Sequence, residues 1–308
     1  MRNYKSLVLI IGLSIGLFSL AQASNSNKGT TSAEFLKLGA GARSVALGEA
    51  YTAMADEASA LYWNPGALVQ VPSKSLVVMH GLYFDSSYFD YLSYAQSLGN
   101  IGAFGVSYQY YTSGDIDKTD INGNNIGSFT PSDQAITLGY AYAVRGYGLG
   151  LSMKSVSSKI INSDSTLSAD VGILSPAFLN NKLKLAFTGR NLFGSLKYRT
   201  ESADLPTEYR IGSAYKINEK WNTGLDVAFP KNDDTYAAIG TEYVFGNKTG
   251  LQIAGRAGYN SKTAGDVDGF TGFGFGMGFL FQKFSLDYAI VPFGSIGLAH
   301  RFSLSFNF

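Results

Sequence analysis

Lys154, Lys184, Arg190, Arg210, Lys216, Arg256 and Arg301 all fall on the small-residue side of stretches that alternate apolar with small or polar residues. Cations gathered on one face could hold an anionic headgroup, and a guanidinium can grip a carboxylate at two points. Lys154, Arg190, Arg210, Arg256 and Arg301 are therefore the leading candidates for ligand contact. The same face carries Asp170, Asp226 and Asp287, and the N-terminal region adds Glu34, Glu49, Asp56 and Glu57. The alternative is that these charges neutralise one another, because a charge removed from water needs a partner.

Other chemistries lack their parts. There is no cysteine and there are only two histidines, so no thiolate nucleophile, disulfide framework or histidine zinc site is expected. Gly39 and Gly41 open like a dinucleotide fingerprint, but Ser44 stands where the third glycine belongs and no strand precedes them. No Gly-x-Ser-x-Gly elbow occurs. His300 and Ser303 differ in parity, so they point to opposite faces of one strand. An outer-membrane lipid deacylase is the enzyme alternative, and the reading is of a non-enzyme without cofactor or metal.

The elements that would position these residues follow from a period of two. In Ala103–Tyr110, Phe104, Val106, Tyr108 and Tyr110 share one face while Ala103, Gly105, Ser107 and Gln109 share the other. The pattern recurs at Ile136–Tyr142, Trp221–Phe229, Gly272–Phe281 and Arg301–Phe308. A soluble sandwich would also alternate, but its solvated face would carry more Lys and Glu. Here the second face is small, and only 15% of residues are charged, against ~25% in a typical soluble domain. Tyr and Phe also cluster near strand ends, as in the aromatic girdles of membrane barrels.

Strands are expected to begin near Ser75, Tyr88, Ile101, Ser132, Tyr147, Thr166, Lys182, Thr207, Trp221, Thr235, Thr249, Phe270, Phe284 and Ile296. Connections after even-numbered strands are short, as at Gly99-Asn100, Arg145-Gly146 and Gln282-Lys283, and most of those after odd-numbered strands are longer. That asymmetry matches the short periplasmic turns and long outer loops of outer-membrane barrels. The fold class is therefore all-β, a transmembrane antiparallel barrel of about fourteen strands.

Residues 1–23 read as a signal peptide. Arg2 and Lys5 precede an apolar Leu7–Leu20, and Ala21-Gln22-Ala23 is a small-residue cleavage site. Cleavage would leave 22 basic against 23 acidic residues, a balance with no basic stripe for nucleic acid. Residues 24–74 do not alternate, and 75–308 form the barrel. Short helices are expected over Ala33–Leu38 and Gly48–Ala55, with a sharp turn at Asn64-Pro65-Gly66. A wide barrel could take this segment as a plug; the alternative is a periplasmic extension.

The run Gly39-Ala40-Gly41-Ala42-Arg43-Ser44-Val45-Ala46-Leu47-Gly48-Glu49-Ala50, continued by Ala55-Asp56-Glu57-Ala58-Ser59-Ala60-Leu61-Tyr62-Trp63-Asn64-Pro65, resembles the N-terminal hallmark of the PorV/PorQ family. Arg190-Asn191-Leu192-Phe193-Gly194 with Leu205-Pro206 and Arg210-Ile211-Gly212 is similar to that family's middle. Asp287–Gly294 with His300–Phe306 resembles its last hairpin. Glu49 departs from the family's usual Gly, and Pro65-Gly66-Ala67 from its common Pro-Ala-Gly.

The resemblance implies a member of the FadL-like group of outer-membrane barrels, with an N-terminal hatch inside fourteen strands. It marks Arg43, Asp56, Glu57, Tyr62, Trp63, Asn64 and Pro65 as the hatch motif. It also implies two roles: passing a hydrophobic or fatty-acid-like molecule, or binding a secreted protein cargo as in type IX secretion. The expected partners are outer-membrane lipid, that ligand or cargo, and the barrel-assembly machinery through the C-terminal Phe308.

Overall fold

The computed structural model describes residues 27–198, 200–247, 250–262 and 267–308. The expected signal peptide, and the strand start expected near Thr249, lie outside the described residues. Eighteen strands occur among them. The first nine are β1 Lys74–Leu82, β2 Tyr88–Ser97, β3 Ala103–Thr112, β4 Ile116–Thr119, β5 Asn125–Phe129, β6 Ser132–Val144, β7 Tyr147–Lys159, β8 Ser163–Leu174 and β9 Leu183–Arg190. The others are β10 Ser195–Tyr198, β11 Glu201–Asp204, β12 Glu208–Asn218, β13 Trp221–Pro230, β14 Tyr236–Phe245, β15 Gln252–Asn260, β16 Phe273–Phe281, β17 Phe284–Pro292 and β18 Leu298–Asn307.

Fourteen of these close an antiparallel barrel, while β4–β5 and β10–β11 form separate two-stranded ribbons. Closure is made by β1, which pairs β2 on one edge and β18 on the other, with Leu76 opposite both Tyr94 and Phe306. Closing the sheet leaves no free edge in the wall, which a bilayer requires.

Parity places the side chains. Leu138, Leu151, Ile211, Met277 and Leu286 face outward and are half or more exposed. Between them Gly, Ala and Ser turn inward, so the exterior suits hydrocarbon and the interior suits a close-fitting insert. The long connections 112–131 and 194–206, expected to be without strands, each carry one of these ribbons. Both ribbons lie within connections rather than the wall, and four or five residues do not establish a visible alternation.

Residues 27–73 fill the lumen as a hatch. Its helical pieces are one or two turns long: Glu34–Lys37, Ala42–Ala46, Ala60–Trp63 and Pro65–Gln70. The helix expected over Gly48–Ala55 is absent, and a helical turn sits at Ala42–Ala46 instead. Gly41 and Gly48 take left-handed φ of 94° and 62°, and Glu49 follows at 69°, which bounds any helix between them.

The ladder between β8 and β9 is short, running only from Val171–Gly189 to Leu174–Ala186. Beyond Arg190 the chain turns inward at Asn191, and the β10–β11 ribbon brings fully buried Leu196 with it. Leu196 and the adjoining Leu205 belong with Phe35 and Leu36 of the hatch to the apolar core that runs through the lumen. The Asn27–Leu38 strap lies there too. Ser32 N donates to Asp204 O at 2.9 Å, and Lys37 pairs with Asp233 at 3.2 Å.

Candidate functional site: the hatch and the wall around it

The hatch motif is a packed structural unit. Trp63 is 1% exposed and donates through Nε1 to Ala40 O at 2.8 Å. It meets Tyr62 edge-to-face at a centroid distance of 4.9 Å. Tyr62 receives Gly39 N and donates to Leu36 O, tying the strap to the hatch centre. Asn64 Oδ1 accepts Gly66 N, and its amide donates to Thr52 O and Ile173 O, both at 3.1 Å. Pro65 follows as the first residue of its helical turn, where its missing N–H costs nothing.

Arg43 is the hatch's electrostatic tie to the wall. It makes two parallel 2.9 Å bonds to Glu242 and a third of 2.6 Å to Asp56. Burial works against its charge, yet Asp56 and Glu242 hold the guanidinium well above its ordinary pKa. Glu57 is buried and accepts hydrogen bonds from Ser59 and Ser305, each at 3.0 Å. Burial raises its carboxyl above the ordinary glutamate range, with Arg43 pulling the other way.

The inward cations are matched largely by wall acids. Lys154 pairs with Asp170 at 2.9 Å and donates to Asn191 Oδ1 at 2.8 Å. Arg190 pairs with Glu208 at 2.6 Å and lies over the rings of Tyr62 and Trp63. Its Nε and Nη1 have no hydrogen-bond partner among the described residues. Arg210 reaches Glu208 at 3.1 Å, Asp226 at 3.6 Å and Glu49 O at 2.9 Å. Arg256 bridges Glu242 and Asp287, both at 2.6 Å. Arg301 instead donates to Leu38 O, Gly39 O and the Tyr83 hydroxyl.

Sequence reasoning named Asp170, Asp226 and Asp287 but missed Glu208 and Glu242, the acids that balance the wall. Parity held the signal: Glu208 is two residues from Arg210, and Glu242 lies two beyond inward-facing Gly240. Plug acids contribute less than expected, since Glu34 and Asp56 serve hatch cations.

Among the described residues, cavities flank the hatch at both ends. One of about 120 Å³ lies towards the long-loop end between the hatch and β15–β18. Leu38, Val45, Phe273, Val291 and Phe293 make it largely apolar, and Lys37, Glu49, Lys262 and Arg301 add charged groups to its lining. Two of about 620 and 600 Å³ open towards the short turns and share Arg43, Asp56, Gln70, Glu219 and Asn222. The lumen is thus more tightly filled towards the long loops, and hollow with charged side chains on its walls towards the short turns.

Residues 16–173, just over half of the chain, match the model of an uncharacterised protein family, UPF0164. The chain belongs to that family. No curated protein matches it. Among solved structures, the barrel is similar to the Pseudomonas putida toluene transporter TodX, at 14% identity and a TM-score of 0.63, covering 88% of this chain and 98% of that one. The Ralstonia pickettii toluene transporter TbuX gives 10% identity and a TM-score of 0.60 over 88% and 98%. A Pseudomonas aeruginosa FadL homologue gives 11% identity and a TM-score of 0.54 over 93% and 100%. The family member described here therefore has the FadL-like fold.

Proposed function

We propose that the chain sits in the bacterial outer membrane, with its short turns in the periplasm, and passes a small hydrophobic or amphipathic molecule across it. Within the FadL-like barrels we assign it to the PorV/PorQ group, on the hatch residues quoted above, with Phe308 as its barrel-assembly signal. The observation that carries the transport reading is the apolar cavity of about 120 Å³ at the seam between hatch and wall. A cavity of that order accommodates a single ring or a short alkyl segment, and the charged groups in its lining, Lys37, Glu49, Lys262 and Arg301, would meet a polar end. The fold shared with proteins described as hydrocarbon transporters supports the same reading.

Extracted in mild detergent, the protein is expected to retain a hydrophobic molecule detectable by mass spectrometry. Val291→Trp, which fills the cavity from β17, is expected to cut both its retention and hydrocarbon uptake by whole cells by about tenfold. Retention and uptake unchanged in the variant would remove the reading.

A second reading is favoured by the β4–β5 ribbon, which stands free with Ile121 fully exposed and Ile126 65% exposed. As a cargo-docking element it would serve protein secretion. Deleting residues 115–130 should then abolish surface delivery of the cargo while the barrel still assembles, and normal delivery would exclude this role.

A further inference from the structure

The cations around the hatch differ in one respect. Arg43, Lys154, Arg190, Arg210 and Arg256 all have a carboxylate within ion-pair distance. Lys182 and Lys184, on the wall of the 600 Å³ cavity at the short-turn end, have none among the described residues; nor has Arg301 at the other end, but its guanidinium is taken up by Leu38 O, Gly39 O and the Tyr83 hydroxyl. Lys182 donates to Ile217 O at 3.2 Å, and Lys184 to the neutral amide oxygen of Gln70. That amide is held in place by its own 2.6 Å bond to Ala55 O.

The register sharpens the contrast. Lys216 N donates to Lys182 O at 2.8 Å, and Lys184 lies opposite Ala214. Lys182 and Lys216 are thus cross-strand neighbours, with Lys184 diagonal to Lys216 on the same inward face. Like charges set opposite each other weaken a sheet, and nothing in the packing of the wall requires three lysines there. The two carboxylates lining this cavity, Asp56 and Glu219, make their ion pairs with Arg43 and Lys216; Asp56 acts on Lys184 only from beyond ion-pair distance, so four cations there face two acids.

We infer that this cavity is an anion site for a phosphate monoester entering from the short-turn end, held by Lys182 and Lys184 with Lys216 beside them. Two unmatched positive charges equal the charge of a phosphate dianion. Lysine binds phosphate as a point charge, whereas a carboxylate is better served by the fork of an arginine. The cavity is large enough for the group to arrive free or as the headgroup of a lipid. This site is separate from the apolar cavity at the opposite end and does not depend on the transport reading.

The test is calorimetric titration of the detergent-solubilised full chain with glycerol 3-phosphate, lysophosphatidate and acetate. Saturable binding of a phosphate ligand, weakened roughly tenfold or more in Lys182→Gln and in Lys184→Gln, is expected. Equal binding of both phosphates identifies a free monoester as sufficient, and binding of the lipid alone identifies a headgroup; either supports the site. Each variant should also unfold at the same temperature as the parent or higher, because it removes a like-charge contact. No saturable binding, binding untouched by the two substitutions, or acetate binding as tightly as phosphate would overturn it.

Discussion

Gly258→Val is expected to unseat the hatch and turn a silent barrel into one that conducts ions in a planar bilayer. A Cβ at Gly258 on β15 would lie 2.1 Å from Leu47 C and 2.2 Å from Gly48 N, both hatch backbone. The contact is reciprocal, since a Cβ at Gly48 would lie 2.5 Å from Tyr259 N. Backbone on both sides cannot rotate away as a side chain can. Overpacking a core ordinarily costs about 1–3 kcal/mol, and this site should stand at or above the top of that range. The wall itself should survive, because the added side chain points into the lumen and leaves the ladders to β14 and β16 in place. Single-channel recording and resistance to unfolding in SDS measure the two parts. A non-conducting variant with unchanged resistance would show that the hatch can yield at this seam.

Arg210→Met should be the most destabilising single change in the ion-pair network. Arg210 is 1% exposed, reaches Glu208 and Asp226, and stacks over Trp63 at 5.3 Å and Tyr236 at 5.5 Å. Its loss leaves Glu208 with Arg190 as its one ion-pair partner and the Tyr236 hydroxyl as a neutral donor. Asp226 would keep only uncharged donors, namely Thr52 and the Tyr51 and Thr52 amides. Removing one partner of a buried pair costs about 3–5 kcal/mol, because the remaining charge stays buried without its counterion. Adding Asp226→Asn should return much of that loss, since the pair and not either residue alone satisfies the site. Urea unfolding of the folded barrel in detergent checks both; a single variant as stable as the parent would mean that water already compensates these carboxylates.

The wall was legible in the sequence because a lipid-facing barrel writes its period of two into every strand. Strand starts expected at Tyr88, Ser132, Tyr147, Trp221 and Phe284 coincide with those observed, and parity alone put Arg190, Arg210 and Arg256 inside. The hatch was legible only as a motif. Its helical turns last four to six residues, too few to show a period, and their positions are set by left-handed residues and by backbone contacts to wall glycines.

What only the tertiary structure decided is which charges meet. Parity fixes the face of Glu208, Glu242, Lys182 and Lys184, but partners on that face are chosen by strand register and by the hatch. Asp226 and Arg210 pair across adjacent strands at 3.6 Å, and each is also held by the hatch, through Thr52 and Glu49 O respectively. The same packing buries Phe35, Leu36, Leu196 and Leu205 in the core and leaves the short-turn end hollow beside Lys182 and Lys184. A linear pattern records the direction in which each side chain leaves the strand; how the enclosed volume is shared between hatch and water depends on contacts hundreds of residues apart, and those exist only once the barrel has closed.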